Sequence, residues 1–504
     1  MIYIDPPYNT GSDFLYPDHF AHPLDAYLKL TEQKDAQGNL LTSNPETSGR
    51  YHSAWLSMMY PRLYLARQLL REDGVIFVSI DDHEVSNLRE LMNEVFGEEN
   101  FVTTIIWEKK YAAQNDARWF SDTHDYILVY ALNKELWRPH LLPRTQEANA
   151  RYSNPDDDPR GDWKADNLAV KTYTPTTDYP ITTPSGRVVK PPAGSCWRVS
   201  RERFDELVKD NRIWFGKDGS NVPALKRFLS EVKEGMVPKT IWFRKDVGDN
   251  QEAKQELNAL LSGVDVFFDT PKPVRLLKKI LQLSTVSGEP SIVLDFFAGS
   301  GTLGQAVMEL NREDDGDRKF ILVQLPETTS STAFPTIAHL CQERLRRVVE
   351  KLKSEDDGKL GLTTREAPED LGFKVFQLAL SNYKQWQSVD SSDAEAYVKQ
   401  LAFFADPLVE GWKPQSVIWE VAIKEGYGLN AVIKRLENVH DNTVWEVTDP
   451  DKGQCFLICL DSMLHQATLA ALPLMKDRVF VCLNSALDDT IAANLALQCR
   501  LKKI

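Results

Sequence analysis

Apolar positions follow two rhythms along this chain. Residues 54 to 72, AWLSMMYPRLYLARQLLRE, space them three and four apart, as one face of a helix requires, and Asp73-Gly74 ends the run. VIFVSID, residues 75 to 81, is instead continuous and rich in β-branched side chains, as a strand covered on both faces would be. The helical period returns from Glu84 to Phe96, and strands are expected from Phe101 to Trp107 and from Tyr126 to Tyr130. After a long interruption the rhythm resumes. A helix is expected over 271 to 283, with Pro271 and Pro273 near its start, then strand, glycine turn and helix across 291 to 310. A buried strand at 320 to 325 and a long helix near Ala338 to Leu352 follow. This alternation predicts an α/β fold with a doubly wound, mostly parallel sheet.

The breaks in the pattern divide the chain. Residues 1–140 and 255–352 carry the alternation, and 141–254 form an insertion of proline- and glycine-rich pieces such as YPITTPSGRVVKPPAGS. Residues 353–370, KSEDDGKLGLTTREAPED, read as an acidic, turn-rich linker, and 371–504 as a separate α+β segment. A length of 504 residues fits two to four domains. With 42% hydrophobic residues there is ample core material, and no apolar run approaches the ~18 residues of a membrane span. No secretion signal precedes Asp5, and the six cysteines are scattered, so free thiols in a soluble cytoplasmic protein are expected.

Net charge changes the picture only when counted locally. The formal charge of −14 argues against a generally basic coat, yet residues 141–254 hold 20 lysines and arginines against 17 acids, leaving 39 against 56 elsewhere. That insertion also interleaves cations with aromatics, as in Cys196-Trp197-Arg198, Arg212-Ile213-Trp214-Phe215 and Trp242-Phe243-Arg244-Lys245. Such a surface can stack bases and touch phosphates; an irregular solvated insertion would have a similar composition.

Two short stretches carry chemistry. Ile2-Tyr3-Ile4 runs straight into Asp5-Pro6-Pro7-Tyr8, and a proline pair cannot continue a strand, so a rigid loop must expose a carboxylate, proline carbonyls and an aromatic ring at a sheet edge. LDFFAGSGT, residues 294 to 302, sets Gly299 and Gly301 between a strand and a helix, where missing Cβ atoms let a ligand approach backbone N–H groups. Alone, the second could be a tight structural turn, because it lacks the third glycine of the dinucleotide pattern. Asp81, Asp82, His83 and Glu84 are read as an acidic helix start, and no metal is expected.

Together, D-P-P-Y and F-A-G-S-G resemble the catalytic and S-adenosylmethionine-binding motifs of amino-group DNA methyltransferases, and their order resembles the β class. GVIFVSIDDHE, SDTHDYILVYA, FFDTPKPVRLLKKIL, FILVQLPE and GFKVFQL extend the likeness along the chain to the modification subunit of type III restriction-modification systems. The resemblance implies transfer of a methyl group from S-adenosylmethionine to a flipped-out adenine, with 1–140 as catalytic half, 141–254 as target-recognition insertion and 255–352 as cofactor half. It implies that Asp5 and the Pro6 carbonyl accept from the adenine amine, that Pro7 stiffens the loop and that Tyr8 stacks on the base. It gives the cofactor Asp295, Phe297, Gly299 and Gly301, with Thr270 and Lys272 near its methionine end and Gln324 and Glu327 near its ribose. Trp107, Glu108 and Lys109 would line the base pocket; Arg198, Trp214 and Arg244 would meet DNA. The implied partners are double-stranded DNA, a helicase-nuclease restriction subunit and a second copy of the chain.

Members of the family also carry a segment ahead of the D-P-P-Y strand that helps hold the cofactor. Without it, Ile2–Ile4 is expected to be a poorly anchored stub. The alternative reading is therefore a catalytically weak recognition or assembly subunit. Methylation of cytosine N4 or a protein amide is the third reading, though those enzymes usually have Asn or Ser where this chain has Asp5.

Overall fold

The structure, a computed structural model, describes residues 1–10, 51–113, 118–232, 235–264, 268, 270–356, 370–385, 394–404 and 406–504. Two compact units divide it, Met1–Phe373 and Lys374–Ile504. Most of the expected linker, 357–369, and Phe267 and Asp269 of the expected cofactor segment lie outside the described residues.

In the first unit, chain order runs β1 (Ile2–Ile4), α1 (Tyr51–Leu69), β2 (Val75–Ile80), α2 (Val85–Phe96), β3 (Phe101–Glu108) and β4 (His124–Ala131). After the insertion come β5 (Ile241–Trp242), α3 (Val274–Ser284), β6 (Ser291–Asp295), α4 (Thr302–Asp314), β7 (Arg318–Leu322) and α5 (Ile337–Asp356). The seven strands form one sheet in the order β5-β3-β4-β2-β1-β6-β7. Only β4 runs against the others.

The central strands β1 and β2 alternate their side chains between two covered faces. Ile2, Ile4, Ile76, Val78 and Ile80 pack with α1 and α2, through Trp55, Met59, Leu63, Leu88 and Met92. Tyr3, Val75 and Phe77 face the opposite layer, where Leu277, Ile280 and Leu281 of α3 and Leu303, Ala306 and Val307 of α4 meet them. All six residues of β2 are consequently buried, which is why its sequence is an unbroken apolar run.

The expectation of a loose amino-terminal stub is overturned. β1 is an interior strand, in parallel register with β2 (Ile2 opposite Ile76) on one side and β6 (Ile2 opposite Leu294) on the other. Its anchorage comes from strands remote in sequence, which a reading of local flanks could not supply. At β1 the chain order of the sheet also reverses, and the crevice beyond the carboxyl ends of strands at such a point is where open α/β sheets bind ligands.

The insertion builds a small antiparallel sheet from Trp163–Asn167, Ala224–Phe228 and Ile213–Trp214. Leu168, Ile181, Trp197, Phe204 and Leu207 form its own core. Lys226 is buried there between Asp156 and Asp158, and Arg160 binds Asp158 at 2.9 Å, so the ammonium is compensated twice. The irregular segment yields at Ile241, inside the expected 141–254 span, because Ile241–Trp242 already pairs with β3.

The second unit has a five-stranded sheet, Val432–Arg435, Val444–Asp449, Gln454–Cys459, Val479–Cys482 and Arg500–Lys503 in that order. Its first two pairings are antiparallel and its last two parallel, with Gln466–Ala471 and Asp489–Gln498 as the crossing helices. All six cysteines of the chain are free.

The two-faced sheet gives a direct stability prediction. Phe77, 1% exposed, touches the α3 layer from the middle of β2. Phe77→Ala is expected to cost about 3–5 kcal/mol in urea unfolding of the first unit. A loss under about 1 kcal/mol would contradict close packing on that face.

Candidate active site

Asp5 is the first residue beyond β1, and three bonds fix the loop that carries it. The Tyr8 hydroxyl donates to Asp5 Oδ1 at 2.9 Å, and the Lys272 Nζ donates to the same carboxylate at 2.8 Å. From α1, Trp55 Nε1 donates to the Pro7 carbonyl at 2.7 Å. Burial, with Asp5 alongside, pushes the Tyr8 phenol well above its usual range, so it remains a donor. Lys272 is itself buried and stands over the Tyr8 ring at 5.0 Å and the Trp107 ring at 5.7 Å. Lys272, assigned by resemblance to the cofactor's methionine end, thus reaches the D-P-P-Y carboxylate; Thr270, two residues earlier, is exposed.

The glycine turn lies on the neighbouring strand. β6 ends at Asp295, and Gly299 (φ +52) and Gly301 (φ +81) then reverse the chain into α4 in the left-handed region that side chains disfavour. A Cβ on Gly301 would come within 2.7 Å of Cys341 Sγ on α5, and one on Gly299 within 3.2 Å of the Phe268 ring. Gln324, just past β7, accepts from the Gly299 N–H at 2.7 Å and reaches Glu327 at 3.5 Å, so both expected ribose contacts sit beside the turn. Phe297 packs against the α1–α2 layer.

Two buried titratable groups frame this turn. Asp295 accepts from the Phe297 N–H at 3.0 Å, and no Lys or Arg among the described residues is its ion-pair partner. Burial pushes its carboxyl up to about 8, aided by the charge of Asp5. Behind the turn, Arg344 of α5 is fully buried and donates to Ser300 Oγ (2.9 Å), Thr302 Oγ1 (2.6 Å) and Gln305 Oε1 (2.8 Å). Burial draws its guanidinium down to about 10, which still leaves it charged at neutral pH. Sequence reasoning missed Arg344. Its only signal was an arginine on the inner face of a helical run.

The expected base-pocket residues divide. Trp107 is fully buried in the sheet core and gives its indole N–H to the Gly248 carbonyl at 2.9 Å, so it supports Lys272 from beneath and offers no free face for stacking. Its place on the inward side of β3 explains this burial. Lys109 pairs with buried Asp125. Glu108 accepts from the Arg244 backbone N–H at 3.0 Å, while the Arg244 guanidinium lies 4.0 Å from the exposed Tyr111 ring. Within the insertion, Arg198 binds Asp166 at 3.2 Å and Trp214 packs on Trp163.

Asp295 makes a pH prediction. An unfolded aspartate loses its proton near 3.8 and the folded one near 8. Between these values the folded state binds more protons, so this contribution to stability is full at low pH and falls away as pH rises through 8. Asp295→Asn should therefore flatten the decline of urea-unfolding free energy between about pH 5 and 8. An unchanged slope would place the titration elsewhere.

Comparison with known proteins gives a consistent picture. The chain is 39% identical over 408 residues to the StyLTI Mod subunit, a type III restriction-modification enzyme of Salmonella typhimurium strain LT2, covering 78% of this chain and 59% of that protein. It is 33% identical over 423 residues to the EcoPI Mod subunit of Escherichia phage P1, and 30% over 420 to the EcoP15I Mod subunit of Escherichia coli. Those alignments cover 76% and 75% of this chain, and 64% and 61% of the relatives, so the chain spans under two thirds of each of these three curated relatives. The DNA methylase family model matches residues 1–334, from β1 through the glycine turn to the segment after β7, and the chain therefore belongs to the DNA methylase family.

Proposed function

We propose that this chain is a site-specific DNA adenine-N6 methyltransferase that uses S-adenosylmethionine and serves as the modification and recognition subunit of a type III restriction-modification system. The observation that carries the reading is the adjacency of β1 and β6, which brings the Asp5 carboxylate and the Asp295 glycine turn to one end of the sheet. The relatives named as Mod subunits support the system.

The residues present fit the cofactor. A buried carboxyl with no basic side-chain partner among the described residues, beside a turn that side chains would crowd, suits a ligand carrying positive charge and needing close backbone approach. Asp295, Phe297, Gly299, Gly301, Gln324 and Glu327 would hold S-adenosylmethionine, with Thr270 at its methionine end. When bound, it supplies an electrophilic methyl group on a sulfonium.

The chain's own residues do the rest. An adenine amine is a weak nucleophile because its lone pair is delocalised into the ring. Asp5 Oδ and the Pro6 carbonyl, accepting from its two protons, favour a pyramidal nitrogen and stabilise the positive charge that develops there. A carboxylate has about four lone-pair sites, so the bonds from Tyr8 and Lys272 orient Asp5 and leave room for the amine. The two prolines hold the acceptors rigid, and orientation supplies much of the rate. The base must leave the duplex to reach them, and the Tyr8 ring is the stacking surface.

Double-stranded DNA, a helicase-nuclease partner and a cytoplasmic location belong to the same proposal. Among the described residues no helix is long and apolar enough to cross a membrane. Exposed Tyr60, Tyr64, Leu65 and Leu69 on α1 support a homodimer.

Asp5→Ala should abolish transfer of labelled methyl to DNA, by at least about 100-fold, while duplex binding stays near wild type, because the acceptor acts at the transition state. Equal loss of both would count against the assignment. Arg198→Ala should weaken DNA binding and lower the slope of log affinity against log salt by about 1. An unchanged slope would take Arg198 off the DNA.

A further inference from the structure

We propose that Glu84 is a positioning residue for methyl transfer: its buried carboxylate holds Asn9 in a left-handed conformation and so sets the end of the D-P-P-Y turn. This rests on the reading of Asp5 given above. Glu84, at the start of α2, is wholly buried, although Asp82 and His83 beside it are exposed. Among the described residues it has no Lys or Arg partner. Three side chains instead converge on it. Asn9 Nδ2 donates to Oε1 at 2.5 Å, Asn87 Nδ2 donates to Oε2 at 2.7 Å, and His52 Nδ1 lies 2.7 Å from Oε1.

Asn9 is the point of leverage. It is 1% exposed and adopts φ +61, a region that asparagine visits more readily than most residues but that still costs energy. Such strain persists only where the surroundings enforce it. Asn9 directly follows Tyr8, which bonds Asp5, and Pro7, whose carbonyl is held by Trp55. Trp55 and His52 are both on α1, three residues apart on one face, while Glu84 and Asn87 belong to the start of α2. Thus the two helices grip the catalytic turn from one side of the sheet, and the bond between Glu84 and Asn9 joins their grips.

Two variants and one pair test this. Asn9→Gly tolerates positive φ without strain, so it should fold, yet it removes the tie. Asn9→Asp keeps size and left-handed tolerance but sets carboxylate against carboxylate, and adding Glu84→Gln restores a donor and an acceptor in reversed roles. Both single variants should lose kcat by about 100-fold, the scale of a lost orientation, with KM for S-adenosylmethionine and duplex affinity little changed. N9D/E84Q should recover most of that kcat. Wild-type kcat in N9G and N9D, or a folded N9D/E84Q no faster than N9D, would overturn the role of Glu84. Absence of methyl transfer by the unaltered chain would instead overturn the reading of Asp5 on which it rests.

Discussion

A single ion pair, Asp5 with Lys272, closes this site, and it joins positions 267 residues apart. It can form only because β1 sits between β2 and β6, with the insertion looped out between the two halves of the sheet. Both groups are largely withdrawn from water, so each would be expensive without the other. Their pairing also fixes how the remaining charges are disposed. Burial, with Asp5 adding to it, raises the cost of ionising Asp295 on the next strand, and burial also raises the Asp125 carboxyl against the opposing pull of Lys272 and Lys109. Asp5 and Asp295 thereby acquire different environments while both stand at the carboxyl ends of adjacent parallel strands.

The glycine turn shows a second economy of charge. In front of it lies a buried acid with no basic partner among the described residues; behind it lies a buried guanidinium satisfied by hydroxyls and an amide. Arg344 fastens Ser300 and Thr302 to α5, so the turn cannot relax backward, and Gly301 is pressed against Cys341 where no side chain fits.

How much of this was legible beforehand depended on how local each signal was. The D-P-P-Y loop and the F-A-G-S-G turn could be read because proline and glycine act on their own backbone. The parallel strand VIFVSI could be read because burial on both faces leaves an apolar run. What failed was decided at a distance. Ile2–Ile4 looked unsupported because its support comes from residues 76 and 294, and nothing local says that Trp107 faces the core. Glu84 was indistinguishable from its exposed neighbours, and its inward turn depends on Asn9, 75 residues earlier. The two-residue strand at Ile241–Trp242 is too short for any periodicity to reveal.

The most direct test of the account is the chemical identity of the methylated product. Duplex DNA incubated with the chain and S-adenosylmethionine carrying a labelled methyl group would be digested to nucleosides and separated by chromatography. The label should run with N6-methyldeoxyadenosine. Label on N4-methyldeoxycytidine, or none despite stoichiometric binding of cofactor and DNA, would contradict the account.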